Sequence, residues 1–219
     1  MKKRLFSIMY MFLITLLFTS MVSAVKIFNE ERIERNEKIK LQRIVLEVLG
    51  MPLHKGASDV AVARLFQGRV KAINVNDKIL YVGYEEGGRN IIGYAFPVGG
   101  PGFWGPIAGI VAVDEKAARV IGIAFTKHSE TPGLGGRMTE PWFRNQFKGL
   151  RLFPVEGDKR IFYLKPEGTG KAPNELSAIT GATGTSRAVE TFLNNDLEHF
   201  LKEFWGNLKK GRGKSAQTS

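Results

Sequence analysis

The longest hydrophobic stretch of the chain lies near its N-terminus. From Leu5 to Val25 the sequence carries no charged residue, and Lys2, Lys3 and Arg4 stand directly before it. About 20 apolar residues are enough for a helix to cross the hydrocarbon core of a bilayer. Basic residues on the N-terminal side favour an N-terminus in the cytoplasm. The pattern therefore predicts a single-pass anchor in the cytoplasmic (inner) membrane, with the rest of the chain on the outer, periplasmic side.

A cleaved signal peptide is the alternative interpretation of this stretch. Val22, Ser23 and Ala24 resemble a small-residue cleavage site. The apolar run is long for a signal peptide, however, and residues 25–28 continue it without a turn signal. We favour an uncleaved anchor, and both interpretations place the following domain outside the cytoplasm. A mature N-terminus at Val25 would contradict the anchor.

The remainder of the chain alternates between helix and strand patterns. Residues 29–49 have apolar side chains near one face and an i,i+4 pair of Glu34 and Lys38, which predicts a helix ended by Gly50 and Pro52. Short β-rich runs follow, with residues 76–77 (Asn-Asp) as a hairpin turn. We expect strands at residues 69–75, 79–84, 91–98, 106–113, 119–125 and 161–164, and a short helix at residues 140–147.

The last predicted helix has the most regular pattern. From Ser186 onward, one apolar stripe is formed by Val189, Phe192, Leu193, Leu197, Phe200, Leu201 and Phe204. The order of helix, several strands, short helix, strand and long helix indicates an α+β fold with a mixed or mainly antiparallel sheet and flanking helices. We divide the chain into an anchor at residues 1–27, an extracytoplasmic domain at residues 28–208 and a basic, disordered tail at residues 209–219.

Charge and composition narrow the classes of function. The net charge is +11, but the basic residues at the N-terminus and in the tail supply seven of these charges, which leaves about +4 for the rest of the chain. No stripe of basic and aromatic residues lies in between, so we do not expect nucleic acid as a partner. The chain has no cysteine, which excludes disulfides, iron–sulfur clusters and cysteine nucleophiles.

The sequence SAITGATGTS at residues 177–186 carries the strongest functional signal. Hydroxyl-bearing and small residues stand together before the last helix, namely Thr180, Gly181, Ala182, Thr183, Gly184, Thr185 and Ser186. Small residues allow a ligand to approach the backbone closely, and a helix N-terminus offers unpaired N–H groups to an anion. The segment predicts a phosphate-receiving loop. A simple helix cap by Thr185 or Ser186 is the commoner use of such residues.

The core of this segment, T-G-A-T-x-T-S, resembles the flavinylation motif of the FMN-binding domain family. That family includes the C subunit of the Na+-translocating NADH:quinone reductase and the G subunit of the Rnf complex. The resemblance implies covalent FMN, bound by a phosphoester to the second threonine, Thr183, with the other residues of the loop around it. The family usually has Asp where this chain has Ser177. If that Asp assists the flavin transferase or its metal ion, attachment is expected to be slower here.

Two glycine-rich loops extend the resemblance. The stretch ETPGLGG at residues 130–136 follows a predicted strand and resembles the second signature of the family, which borders the flavin ring. The ring contacts that this implies come from Glu130, Thr131 and Leu134. The stretch GGPGFWGPI at residues 99–107 has a tryptophan at a place comparable to one in the family. Trp104 is therefore expected to stack on the ring edge or shield it, although such a tryptophan is as often a loop anchor in the core.

Two further polar residues give weaker signals. Lys165 precedes the motif at the end of a predicted strand and is expected to pair with the phosphate or a ring carbonyl, with an ordinary exposed lysine as the equal alternative. His128 has no partner at metal-ligand spacing, since His54 and His199 belong to unrelated predicted elements. We therefore expect no metal site.

Together the anchor and the resemblance predict a membrane-anchored flavoprotein subunit that carries electrons through FMN within an Rnf-type or Nqr-type ion-translocating redox complex. The implied partners are other membrane subunits of that complex and a flavin transferase for maturation. No acid/base pair or activated nucleophile stands out, so we do not expect turnover of a substrate by this chain alone. Two alternatives stay open: a standalone anchored FMN electron carrier and, in a different class, a non-catalytic exported binding or scaffolding module.

Overall fold

The computed structural model describes residues 2–51, 53–54, 56–75, 78–153 and 160–206. Contacts divide the chain into two compact units, Met1–Leu41 and Gln42–Ser219. The predicted hairpin turn at residues 76–77, the predicted helix stop at Pro52, the predicted tail and the side chain of Phe204 lie outside the described residues.

Helix α1 spans Lys2–Val48 without interruption, where the sequence pattern predicted an anchor followed by a separate helix. Its apolar side chains from Leu5 to Phe28 are almost all exposed to solvent. The helix is long and apolar enough to cross a membrane, a test that a signal sequence also passes. This helix is compatible with a membrane anchor, and the predicted orientation of the following domain stays a prediction.

The second unit contains short helices, two sheets and one long helix. The helices are α2 (Asp59–Arg69), α3 (Pro141–Asn145) and α4 (Thr183–His199). A 3-10 helix spans Gly135–Thr139, and a π-helical segment spans Phe200–Trp205. The strands are β1 (Val70–Val75), β2 (Lys78–Tyr84), β3 (Ile91–Pro101), β4 (Pro106–Asp114), β5 (Val120–Lys127), β6 (Tyr163–Lys165) and β7 (Glu175–Ser177).

The main sheet is an antiparallel meander in the order β1-β2-β3-β4-β5, and β6 and β7 form a separate parallel pair. This confirms the predicted α+β fold with flanking helices. The six strands predicted from the sequence are all present within three residues of their predicted ends. Strand β3 is longer than predicted: its pairing with β4 continues to Pro101↔Pro106 and brings the connecting tip far out from the sheet.

Both faces of the main sheet are covered, which explains why its strands read as nearly continuous apolar runs. Tyr94, Phe96 and Val98 of β3 face one core, which includes the buried stripe of α4 and the rings of Phe143 and Phe147. Ala95, between Tyr94 and Phe96 on β3, belongs to a second core with α2 and the last turns of α1. This alternation follows from the period of two in a strand. The sheet is thus a rigid layer from which the β3–β4 tip projects.

The structure adds elements that the sequence pattern did not predict. Helix α2 is capped by Ser58, whose Oγ accepts a hydrogen bond from Ala61 N at 3.3 Å. Strand β7 is only three residues long and is held by the side chain of Gln146, which bonds both the N–H and the carbonyl oxygen of Ser177. This clamp fixes the point at which the motif loop leaves the sheet.

Candidate functional site

Three loops from distant parts of the second unit meet at one place. They are the β3–β4 tip at residues 102–105, the loop at residues 128–134 after β5, and the motif loop at residues 178–182 before α4. Glu130 of the second loop contacts the β3–β4 tip on one side and, on the other, the first turn of α4, which directly follows the motif loop. The structure therefore brings together the three segments that the sequence analysis singled out separately.

The motif loop ends in a tight reversal that starts α4. Gly181 has φ +78°, a left-handed conformation that glycine adopts without strain, and Ala182 N donates to Ile179 O at 3.0 Å. The first helical hydrogen bond runs from Ser186 N to Ala182 O, at 3.0 Å. Helix α4 therefore begins at Thr183, three residues before its predicted start.

The prediction that Thr185 or Ser186 caps this helix is wrong. The N-cap is Ala182, which has no side-chain hydroxyl. Thr185 Oγ1 instead donates to Glu130 Oε2 at 2.5 Å, and Ser186 Oγ accepts from Ile179 N at 3.0 Å. Among the described residues, the N–H groups of positions 183–185 have no hydrogen-bond acceptor. The uncapped end of α4 thus presents free donors and the positive end of the helix dipole to an anion.

Thr183 stands at this uncapped end with its side chain exposed to solvent. It is the first residue of α4, so its hydroxyl lies beside the free N–H groups of the first turn. The neighbouring hydroxyls of Thr185 and Ser186 are buried and engaged, and Thr180 Oγ1 donates to Glu167 Oε2 at 3.0 Å. Of the four hydroxyls from position 180 to 186, that of Thr183 is exposed and has no bond within the described residues.

An exposed apolar platform lies next to this end of the helix. Phe103 is 61% exposed, Trp104 is 68% exposed and Leu134 is 45% exposed, and the two aromatic rings pack edge to face. A Cβ atom at Gly184 would lie 2.3 Å from Phe103 Cδ2, and one at Gly181 would lie 3.2 Å from Leu134 Cδ2. The glycines of the motif are therefore required for the platform to approach the helix start.

Glu130 is a buried carboxylate at the place where the three loops meet. Its side chain is nearly fully buried, and its Oε1 accepts hydrogen bonds from Phe103 N at 2.8 Å and Trp104 N at 3.0 Å. Burial is the largest influence and raises the pKa of this carboxyl. The hydrogen bonds from Thr185, Trp104 and Phe103 and the charge of His128 together lower it further than burial raises it, so the net pKa lies below 4.5. The carboxylate is charged where the loops meet.

The lowered pKa of Glu130 predicts an acid-dependent loss of stability. Because the folded-state pKa is below the unfolded-state value of about 4.5, the unfolded chain takes up the proton first as the pH falls. The contribution of Glu130 is complete above that value and is lost as the pH falls through the lower, folded-state pKa. Urea unfolding between about pH 3 and pH 6 is expected to show the difference between the wild type and Glu130→Gln narrowing towards acid pH. Glu115→Gln, which replaces an exposed carboxyl outside the three loops, is the control for the loss of one negative charge.

Gly135 closes the back of this junction. A Cβ atom there would lie 2.4 Å from Thr185 Oγ1 and 2.8 Å from Glu130 Oε2. Gly135→Ala is expected to lower the free energy of unfolding by about 1–3 kcal/mol, because the Thr185–Glu130 hydrogen bond must be pushed apart. Gly68→Ala in helix α2 is the matched control, since nothing lies within 4 Å of its Cβ position and alanine favours a helix. Equal stability of the two variants in urea unfolding would contradict the close packing described here.

Two predicted site residues remain: Thr131, in the loop that contains Glu130, and Lys165, whose backbone contacts the motif loop. Thr131 is exposed, and its carbonyl oxygen accepts from Leu134 N and Gly136 N. Lys165 Nζ lies 3.9 Å from Glu175 Oε1 and 5.3 Å from the centre of the Tyr163 ring. Its carbonyl oxygen accepts from Ala178 N of the motif loop, at 2.7 Å. A role of the Lys165 amine at a phosphate stays a prediction.

Sequence reasoning missed Phe103 and the linking role of Glu130. Phe103 stands beside Trp104 in the same glycine-rich stretch, so the pair of adjacent aromatic residues was the available signal. The hydrogen bonds of Glu130 span 26, 27 and 55 residues, and no local pattern reveals them. Within the described residues, no group of three or more His, Asp or Glu side chains is arranged to hold a metal ion.

A separate cavity of about 410 Å³ lies near the opposite end of α4, between strands β2 and β3 and the helix. Phe96 and Phe200 form its apolar wall, and Asp196 and His199 lie at its rim. It contains neither Thr183 nor any residue of the platform. The candidate site lies elsewhere, on the surface where Thr183, Phe103 and Trp104 are exposed.

The fold and the three loops define a class of domain in which a small-residue helix start faces an exposed apolar platform. Residues 102–198 match the family model described as FMN-binding domain. This segment contains the β3–β4 tip, the loop around Glu130, the motif loop and nearly all of α4. The chain is therefore similar to the FMN-binding domain family over this segment, which is a little under half of its length.

Two relatives that are similar to this chain are both named as the C subunit of Na(+)-translocating NADH-quinone reductase. The chain is 36% identical over 138 residues to that protein of Yersinia pestis, covering 60% of this chain and 52% of the relative. It is 33% identical over 120 residues to that of Pseudomonas aeruginosa, covering 52% and 46%. The chain thus spans about half the length of the curated relatives it matches.

Solved structures of the same kind of protein share the fold. NqrC of Shewanella oneidensis superimposes with a TM-score of 0.68 at 23% identity, covering 80% of this chain and 98% of that chain. The C subunit of Na(+)-translocating NADH-quinone reductase from Parabacteroides distasonis superimposes with a TM-score of 0.66 at 23% identity, covering 79% and 95%. At this identity the likeness establishes the fold, and the site rests on the residues described above.

Proposed function

We propose that this chain is a membrane-anchored flavoprotein subunit that carries electrons through FMN, bound covalently by a phosphoester to Thr183, within an Nqr-type or Rnf-type redox complex. The observation that carries the proposal is the position of Thr183, whose exposed hydroxyl has no hydrogen-bond partner among the described residues and lies at an uncapped helix start beside an apolar platform. The match to the FMN-binding domain family and to the C subunit of Na(+)-translocating NADH-quinone reductase supports it.

The residues present fit both ends of FMN. The phosphate would be held by Thr183 Oγ1 and by the free N–H groups of positions 183–185, whose dipole favours negative charge. The flat ring would pack on Phe103, Trp104 and Leu134, which expose apolar surface that a soluble domain otherwise tends to bury. In the proposed attachment, the Thr183 oxygen would form a bond to the phosphorus of the flavin phosphate. The bond from that phosphorus to the nucleotide part of a flavin dinucleotide on the flavin transferase would break, the nucleotide would leave with the electron pair, and the hydroxyl proton would be released.

The protein and the cofactor have different roles in the proposed electron transfer. FMN supplies reversible electron uptake, and the protein supplies position and electrostatic surroundings. The uncapped helix end would hold the phosphate, and the platform would exclude water from one side of the ring. An open site outside the cytoplasm would lose a dissociable cofactor, so a covalent bond at Thr183 is the arrangement that an exposed surface requires. We also propose that residues 1–27 anchor the chain in the membrane, that residues 28–208 form the domain on the outer side, and that residues 209–219 form a basic tail.

The proposed attachment is tested by mass spectrometry of the full chain coexpressed with a flavin transferase. The expected result is a peptide containing Thr183 that is heavier by one esterified FMN, in a yellow protein. A colourless protein with an unmodified Thr183 peptide would overturn the flavoprotein proposal. Ser177→Asp, which introduces the residue usual in the family, tests whether attachment becomes faster.

Membership of a complex needs a separate experiment. A tagged chain purified from its native membranes in mild detergent is expected to bring down further redox subunits. Recovery of the yellow chain alone would favour the standalone electron carrier instead. The two experiments are independent, because the first tests the cofactor and the second tests the partners.

A further inference from the structure

Only 3% of Glu130 is exposed. Both of its carboxylate oxygens accept hydrogen bonds within the protein. Oε1 accepts two backbone hydrogen bonds from the β3–β4 tip, and Oε2 accepts the hydroxyl of Thr185 in the first turn of α4. This residue therefore connects the element that carries the aromatic platform to the helix that begins with Thr183.

We infer that Glu130 is a positioning residue that fixes the Phe103–Trp104 tip relative to Thr183, so that the aromatic platform and the attachment hydroxyl keep one geometry. The part of the inference that concerns the flavin rests on the proposed function. The part that concerns the shape of the tip applies to the protein without flavin. The predicted contact between Glu130 and the flavin stays a prediction. Its burial behind the tip favours action through Phe103 and Trp104.

The β3–β4 tip has few other means of holding its shape. Gly102 N donates to Gly105 O at 2.8 Å, which closes the turn, but both aromatic side chains at the tip are mostly exposed and contribute little burial. The N–H groups of Phe103 and Trp104 both donate to one Glu130 oxygen. Hydrogen bonds to a charged acceptor are stronger than neutral ones, so this carboxylate is the dominant restraint on the tip.

Two glycines allow the loops to close around the carboxylate. A Cβ atom at Gly102 would lie 2.6 Å from Oε1, and a Cβ atom at Gly135 would lie 2.8 Å from Oε2. Backbone from two different loops thus covers the two oxygens, one on each side. Such close covering keeps water from competing for the carboxylate and strengthens its hydrogen bonds. The packing independently supports a structural connection at this residue.

The test measures amide hydrogen exchange at single-residue resolution in the full chain without flavin. In Glu130→Ala, the N–H groups of Phe103 and Trp104 are expected to exchange about tenfold faster or more, as for loss of a charge-assisted hydrogen bond. Glu130→Gln retains an acceptor oxygen and should restore much of the protection. Unchanged exchange at both tip amides in Glu130→Ala would overturn the inference.

Asp196→Ala is the matched control, because Asp196 Oδ2 accepts from Gly99 N at 2.8 Å in strand β3, three residues before the tip of the same hairpin. It should accelerate exchange at Gly99 and leave the tip amides protected. If Glu130→Ala also loses protection in strand β4, Glu130→Asp replaces it, since a side chain shorter by one methylene cannot reach both partners. Equal protection of the tip in Glu130→Asp and the wild type would then overturn the inference.

A second measurement follows the tip when flavin is attached. Trp104 beside the ring is expected to quench flavin fluorescence. Trp104→Ala and Glu130→Ala are therefore both expected to raise that fluorescence per bound flavin. Unchanged fluorescence in Glu130→Ala, with an increase in Trp104→Ala, would overturn the link between the carboxylate and the ring. If the wild type binds no flavin, the proposed function fails, while the exchange experiment still decides the role of Glu130 in the apoprotein.

Discussion

Replacing Thr183 with Val is expected to abolish covalent flavin while the fold stays intact. Valine has nearly the same shape as threonine but no hydroxyl to esterify, and the side chain is exposed, so little packing is lost. In-gel flavin fluorescence of the chain coexpressed with a flavin transferase measures the loss, and circular dichroism checks the fold. The expected loss is complete, because the proposed bond uses the Thr183 hydroxyl and valine has none.

Thr191→Val provides the matched control for this experiment. Thr191 is exposed on the same helix and its Oγ1 donates to Arg187 O at 2.8 Å, away from the platform. This variant should keep its flavin in full. Flavin retained in Thr183→Val would move the attachment to another oxygen, and Thr180, three residues earlier and also exposed, would be the next candidate.

Phe147→Ala is expected to lower the free energy of unfolding by about 3–5 kcal/mol. Phe147 is 1% exposed and packs edge to face against Phe143 on one side and Phe162 on the other. Truncation removes both ring contacts and leaves a cavity that the rigid sheet cannot fill. Urea unfolding of the full chain, followed by tryptophan fluorescence, measures the loss.

Phe153→Ala is the corresponding control, because Phe153 is 59% exposed. Its effect should stay within about 0.5 kcal/mol, as is usual for surface positions. A loss at Phe147 no larger than that at Phe153 would mean that the aromatic cluster does not form the core described here.

The regular parts of the fold could be predicted because their patterns are local. The strands of the meander and the stripe of α4 repeat with the periods of strand and helix, so each segment reveals its own structure. Helix α2 was missed because its apolar residues do not form a clear stripe and Val62 is its only buried residue. The length of α1 was missed because the change from apolar to charged composition near Lys26 looks like a boundary, although a helix tolerates both.

The site was predictable in its parts and not in its assembly. The motif and both glycine-rich stretches stand out in the sequence, and the structure brings them together around Glu130. Their contacts depend on residues far apart in the chain, which a local pattern does not contain. The cap was predicted wrongly because Gly181 turns the chain early, so that Ala182 takes the cap position and the expected capping hydroxyls move into the buried first turn.

The hairpin that carries Phe103 and Trp104 has a consequence for the order of events during biosynthesis. Its strand β3 is bonded through Gly99 to Asp196, 97 residues later, and its tip is connected through Glu130 to Thr185. Contacts that close such long loops form late, and α4 is synthesised after the hairpin and the loop of Glu130. Thr183 therefore reaches its finished surroundings only when synthesis of the domain is complete. Esterification would mark the chains that have matured, and those still incomplete would remain colourless.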